Sequence, residues 1–156
     1  MNKNIKLVAT DIDGVWTDAK MHYTKDGDFM KSFSTYDGMG VEMLRNKNIE
    51  TVIMTSENSD IVLQRAKKLQ IKEVHIGEKN KLERLKKICS DKAIQLNEVA
   101  YIGDDINDIE VLENVGLSAL TNNSPIKQQI KVNYITEKKG GDGAFREFAE
   151  LILKEI

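Results

Sequence analysis

Apolar residues along this chain alternate between two patterns. Short unbroken runs occur at Leu7–Thr10 (LVAT), Thr51–Thr55 (TVIMT), Glu73–Ile76, Val99–Ile102 (VAYI) and Leu117–Leu120. Each is bounded by polar residues or glycine, as expected of strands buried on both faces of a parallel sheet. Between them, apolar positions recur at three- and four-residue spacing. Examples are Val41 and Leu44; Ile61, Val62, Ala66 and Leu69; Leu82, Leu85, Ile88 and Cys89; Ile109, Leu112 and Val115; and Phe145, Phe148, Leu151 and Ile152. That spacing turns one stripe of a helix toward a core. The order βαβαβαβα, without internal repeat or low-complexity segment, predicts one doubly wound, Rossmann-like α/β domain spanning residues 1–156.

Three stretches depart from the alternation. Residues 20–34 (KMHYTKDGDFMKSFS) place Met21 and Tyr23 before Asp26-Gly27, with Phe29 and Phe33 after it, which predicts a β-hairpin turning at Asp-Gly. It would project beyond the first strand as a flap, a subunit contact or a plain surface hairpin. Asp37-Gly38-Met39-Gly40 is expected to precede a short helix on Val41 and Leu44, and TNNSPIK to form a polar turn and a short helix near Pro125. Lys138–Arg146 (KKGGDGAFR) reads as a glycine-rich loop or as a mobile strip that closes over an anionic substrate.

Composition narrows the function classes. The 156 residues are 40% hydrophobic and 31% charged, with a net charge of -2, so the chain has no global attraction to nucleic acid or to an anionic membrane. No run approaches the roughly 18 apolar residues of a membrane span. The start MNKNIKLVATD reaches acids too soon for a signal peptide, and the expected location is cytoplasmic. Cys89, the single cysteine, sits on the apolar stripe of its helix and is expected to be buried.

The chemistry is concentrated at strand ends. Asp11 and Asp13 follow the first strand, where open α/β sheets bind ligands, and Gly14 lets a ligand approach the backbone. Two carboxylates so close need a cation or a shared proton, which suits a nucleophile and a proton carrier screened by Mg²⁺, though short acidic motifs also cap helices. Thr55 and Ser56 open a helix after the second strand, where phosphate binding and ordinary capping use the same residues. The fourth strand ends in Gly103 and then Asp104, Asp105 and Asp108, a second acid cluster suited to a hard cation. Lys81 by itself is one lysine among many on its helix.

Taken jointly, DIDGVWTD, a strand ending in TSE, a following lysine and YIGDDINDIEVL resemble the haloacid dehalogenase superfamily of phosphatases over residues 7–112. The resemblance implies that Asp11 is the nucleophile forming an aspartyl-phosphate and Asp13 the general acid and base. It implies that Thr55, Ser56 and Lys81 bind the transferring phosphoryl group. Mg²⁺ would be held by Asp11, the backbone carbonyl of Asp13 and Asp104, with Asp105 or Asp108 in its outer sphere. Only 44 positions separate Asp11 from Thr55 and 26 separate Thr55 from Lys81, which leaves no room for a cap domain. The hairpin and the GGDGAFRE segment resemble those of the 3-deoxy-D-manno-octulosonate 8-phosphate phosphatase group, which implies a homotetramer whose neighbours complete an open site around a small sugar phosphate. Glu57 and Lys68, with the tryptophan of DIDGVWTD, look more like the branch acting on nine-carbon nonulosonate 9-phosphates. The expectation is therefore a nonulosonate phosphatase, with the octulosonate phosphatase as alternative. A silent regulatory subunit and a phosphate-accepting receiver module are the readings from other classes; the receiver would lack Asp13.

Overall fold

The computed structural model describes residues 4–155; the basic start, residues 1–3, on which part of the signal-peptide reading falls, lies outside them. Its centre is β1 (Leu7–Thr10), whose four residues are all buried, as a strand covered on both faces must be. Parallel neighbours β4 (Glu50–Met54) and β6 (Val99–Gly103) flank it, with Thr10 level with Ile53 on one side and Ile102 on the other. With β5 (Glu73–His75), β7 (Leu117–Leu120) and β8 (Tyr134–Ile135), the six-stranded sheet has the order β5-β4-β1-β6-β7-β8. The chain winds outward from β1 through β4 to β5, then returns past β1 to wind the other way. This is the doubly wound order, and its switch point lies between β1 and β6, where ligand crevices form.

Alternation along the strands divides the core into two layers. Val8 and Ile53 face one side with Trp16, Leu44, Val62, Phe145 and Phe148, under α1 (Thr35–Arg45), α2 (Asp60–Lys68) and α5 (Ala144–Glu155). Leu7, Ala9, Val52, Met54 and Tyr101 face the other with Leu85, Ile88 and Cys89, under α3 (Lys81–Lys92) and α4 (Ile109–Asn114). Cys89 is buried as expected. Among the described residues no helix is long and apolar enough to cross a membrane.

A separate antiparallel hairpin, β2 (His22–Thr24) and β3 (Gly27–Met30), is the one insertion between β1 and α1, and no cap domain is present there. Its turn is Lys25-Asp26 rather than the expected Asp26-Gly27, because Thr24 already pairs with Gly27 and the Thr24 hydroxyl accepts the Asp26 N–H. Helix α1 begins at Thr35, before the two glycines instead of after them; the Ser34 hydroxyl caps it by accepting the Tyr36 N–H. Glycine is kept inside this helix by close packing: a Cβ on Gly40 would stand 3.2 Å from the Arg146 backbone. No helix forms near Pro125, where residues 122–129 make successive turns. Strand β8, which carries only two residues, left no hydrophobic run to read.

The glycine-rich segment is a packed loop, not a loose strip. Gly140 is buried, and a Cβ there would lie 1.9 Å from the Gly14 carbonyl oxygen. The Gly141 N–H donates to the Val15 carbonyl at 3.1 Å, so the segment buttresses the loop that carries Asp11 and Asp13.

Candidate active site

Asp11 directly follows β1 and Asp104 directly follows β6, so the switch point brings together two acids 93 positions apart in the chain. Between them the backbone turns at Gly14, with φ of +88°, and a Cβ there would fall 1.7 Å from Asp104 Oδ2. Glycine is thus required both for the turn and for the approach of Asp104. The Asp104 carbonyl is fixed by the Ser124 hydroxyl, which donates to it at 2.6 Å.

Asp11 Oδ1 accepts the Ile12 N–H at 2.8 Å and lies 3.1 Å from Lys81 Nζ. Lys81 is the first residue of α3, and its ammonium also reaches Asp108 Oδ1 at 2.8 Å. Asp108 is fully buried and spent on hydrogen bonds. Its Oδ1 also accepts the Tyr101 hydroxyl, while Oδ2 accepts the N–H groups of Asp104 at 2.8 Å and Asp105 at 3.3 Å. Asp108 therefore ties Lys81 to the loop of Asp104. Asp105 is exposed and caps the following turn through the Ile106 N–H.

Burial and crowding raise the acids. Burial, then the Asp108 charge, push Asp11 up to about 7, although Lys81 opposes them. Asp104 rises to about 8 through burial and the charges of Asp11, Asp108 and Asp105. Burial by itself would pull the Lys81 ammonium down, but Asp11 and Asp108 outweigh it and hold it above its ordinary value. The Tyr101 hydroxyl, buried beside Asp108, is pushed well up and stays a donor. One oxygen from each of Asp11, Asp104 and Asp108 falls within 4.8 Å of the others. A single lysine among three buried carboxylates leaves negative charge uncompensated, and an all-oxygen donor set fits a divalent cation such as Mg²⁺.

Asp11 and Asp104 open onto a cavity of about 240 Å³ lined by Asp11, Asp13, Ala19, Met21, Thr55, Ser56, Glu57, Asp104, Asp105 and Asn107, while Lys81 and Asp108 are buried behind that lining. Thr55 is buried just past β4, its backbone fixed by the His75 carbonyl and the Glu78 N–H. The Ser56 hydroxyl accepts the Asn107 side-chain amide at 2.9 Å, which joins the loops after β4 and β6 across the cavity. Of the two expected specificity residues, Glu57 is exposed on the cavity wall, whereas Lys68 lies on the exposed last turn of α2 and is not part of the lining. Trp16 is absent from the lining too. It is wholly buried, donates to the Thr10 hydroxyl at 3.1 Å and packs against Phe145 with ring centres 4.8 Å apart.

Sequence reasoning passed over Lys31, Tyr101 and Asn107. Lys31 is at the end of an alternating hairpin and reads as a surface lysine; in the structure its side chain is buried with Nζ 2.8 Å from Asp13 Oδ1. Tyr101 reads as a core strand residue. Asn107 lies inside the acid motif, where an uncharged amide gives no charge signal of its own.

A sequence model of haloacid dehalogenase-like hydrolases matches residues 45–148. The chain belongs to this family. Within it, the chain is 34% identical over 152 residues to the 3-deoxy-D-manno-octulosonate 8-phosphate phosphatase of Haemophilus influenzae, covering 97% of this chain and 84% of that one. The crystal structure of the Yersinia pestis phosphatase of the same name superimposes with a TM-score of 0.93 at 34% identity, over 98% of this chain and 83% of that one. The Moraxella catarrhalis phosphatase of that name, solved in complex with a magnesium ion, a phosphate ion and a KDO molecule, gives 0.93 at 37% identity, over 98% and 88%. The substrate in these relatives' names is the 8-phosphate of the eight-carbon sugar acid, the alternative of the sequence reading rather than its first choice.

Proposed function

We propose that this chain hydrolyses 3-deoxy-D-manno-octulosonate 8-phosphate. The chain is a phosphoric monoester hydrolase acting on a sugar phosphate, and its cofactor is Mg²⁺. The carrying observation is the buried cluster of Asp11, Asp104, Asp108 and Lys81 at the sheet's switch point, in a chain whose relatives bear that substrate's name. Asp11 attacks phosphorus, its carboxylate oriented by Ile12 N–H and Lys81. Asp13 protonates the departing sugar oxygen and afterwards takes a proton from the water that releases phosphate. Thr55, Ser56 and Lys81 hold the phosphoryl oxygens. Asp11, the Asp13 carbonyl and Asp104, with Asp108 behind, would hold Mg²⁺, whose charge would offset that of the phosphoryl oxygens and of the acids.

The nine-carbon nonulosonate 9-phosphates are the second reading, and Glu57 on the cavity wall favours it. A carboxylate accepts hydrogen bonds from sugar hydroxyls or an acyl amide. The buried Trp16 gives it no support. The test compares kcat/KM for octulosonate 8-phosphate with that for the 9-phosphates of 2-keto-3-deoxy-nononate and N-acylneuraminate, with Mg²⁺ and with chelator. The eight-carbon ester ranking first is the expected result; a nonulosonate ranking first transfers the assignment to the second reading. Absence of Mg²⁺-dependent hydrolysis of any phosphate ester leaves the silent-subunit reading instead.

The assembly in this reading is a homotetramer joined through the hairpins. Tyr23 is 64% exposed and Phe29 56%, and aromatic side chains at that exposure on one small ribbon favour a partner surface.

A further inference from the structure

We infer that Lys31 is the residue that positions Asp13 for proton transfer, and that it does so by fastening the β2–β3 hairpin to the active-site loops. The inference rests on the phosphatase reading above. Lysine is almost never fully buried unless paired, because a desolvated ammonium is costly. Yet the Lys31 side chain has no exposed surface. Its Nζ donates to Asp13 Oδ1 at 2.8 Å, stands 3.6 Å from Asp28 Oδ2, and contacts Met21 Sδ at 3.6 Å.

A second observation extends the chain of contacts. Ser59 occupies the N-cap of α2 but makes no side-chain cap; its hydroxyl donates instead to Asp28 Oδ2 at 3.3 Å. Serine at that position ordinarily satisfies a free helix N–H, so the diverted hydroxyl is a local cost the hairpin contact must offset. Asp13, Lys31, Asp28 and Ser59 thus run from the loop after β1, through the hairpin, to the helix that follows Thr55. Met21, on the hairpin's first arm, closes the figure by lining the cavity.

The consequence falls on Asp13. One of its oxygens is held by Lys31, while the other is buried without a hydrogen-bond partner in a residue that lines the cavity. A proton carrier must stand within about 3 Å of the atom it serves, and a misplacement of about 1 Å costs on the order of 10²-fold. Lys31 does not line the cavity, so it acts through Asp13 and is a positioning residue. Seating of the hairpin and delivery of the proton are then one structural event.

The experiment compares wild type, Lys31→Met and Lys31→Arg on p-nitrophenyl phosphate, whose leaving group departs without a proton, and on an alkyl sugar phosphate, which needs one. The parameter is kcat/KM with saturating Mg²⁺, which covers steps up to departure of the leaving group. Lys31→Met is expected to lose roughly 10²-fold on the alkyl ester and no more than about threefold on the aryl ester. Lys31→Arg keeps the charge and is expected to recover part of the alkyl rate, with the same sign of imbalance; it carries the comparison should the methionine variant not fold. Equal losses on both esters would show a merely structural lysine, and unchanged rates an idle one; either overturns the inference. Failure of the wild-type enzyme on both esters counts instead against the phosphatase reading.

Discussion

Buried charge is where single residues matter most in this chain. Asp11→Asn removes the proposed nucleophile while keeping an acceptor for the Ile12 N–H, so Mg²⁺-dependent phosphate release is expected to fall at least about 10³-fold with melting unchanged. Asp108 behaves differently because all its bonds are structural. An Asn there cannot accept from Lys81, Tyr101 and both backbone N–H groups together. Asp108→Asn is expected to cost about 3 kcal/mol in urea unfolding as well as activity, since it leaves Lys81 half-paired in a dry site. Asp37 offers a pH test away from the cavity. Burial, opposed by the Arg146 N–H and Arg65, raises it to about 6 from an ordinary 3.8. Its folded pKa exceeds the unfolded one, so its contribution is fully present below about pH 4 and is lost as pH rises toward about 6. Relative to wild type, Asp37→Asn is expected to gain about 2–3 kcal/mol between pH 4 and 7, and parallel stability curves would refute this.

Among the elements, loops packed without side chains hold the site together. The 138–143 segment meets the Asp11 loop at Gly140, where a methyl group has no space beside the Gly14 oxygen. Gly140→Ala is expected to lower stability by about 1–3 kcal/mol, through overpacking, and to depress turnover in proportion to the displaced loop. Calorimetry together with kinetics checks it; a lowered melting point with full activity would separate the two loops functionally. Glycines of α1 obey the same physics: they break helix rules locally so that α1 can lie against α5 and α2. Helix propensity alone placed the start of α1 too late, because it counts backbone entropy and not the approach of a neighbouring helix.

At the scale of the molecule, the exposed aromatics of the hairpin lead to the last prediction. On the tetramer proposed above, a Tyr23→Ser, Phe29→Ser double variant is expected to sediment as a smaller species than wild type while the six-stranded sheet stays folded; an unchanged sedimentation coefficient would remove the hairpin from the proposed interface. Much of the architecture was legible beforehand. Buried parallel strands leave continuous apolar runs, and strand-end acids leave dense motifs, so β1, β4, β6 and β7 and the acids Asp11, Asp13 and Asp104 could be read in order along the chain. A two-residue strand such as β8 leaves no run to read, and Trp16 looks alike in a core or a pocket. Long-range pairing was illegible for a deeper reason. Local spacing records which face a residue turns to its own element, but not which partner lies across the gap. Only the folded chain decided that Lys81 sits between Asp11 and Asp108, that Asp105 caps a turn, that Lys68 stays on the surface, and that Lys31 leaves solvent for Asp13. Each outcome depends on desolvation and on distances between loops that the winding of the sheet brings together.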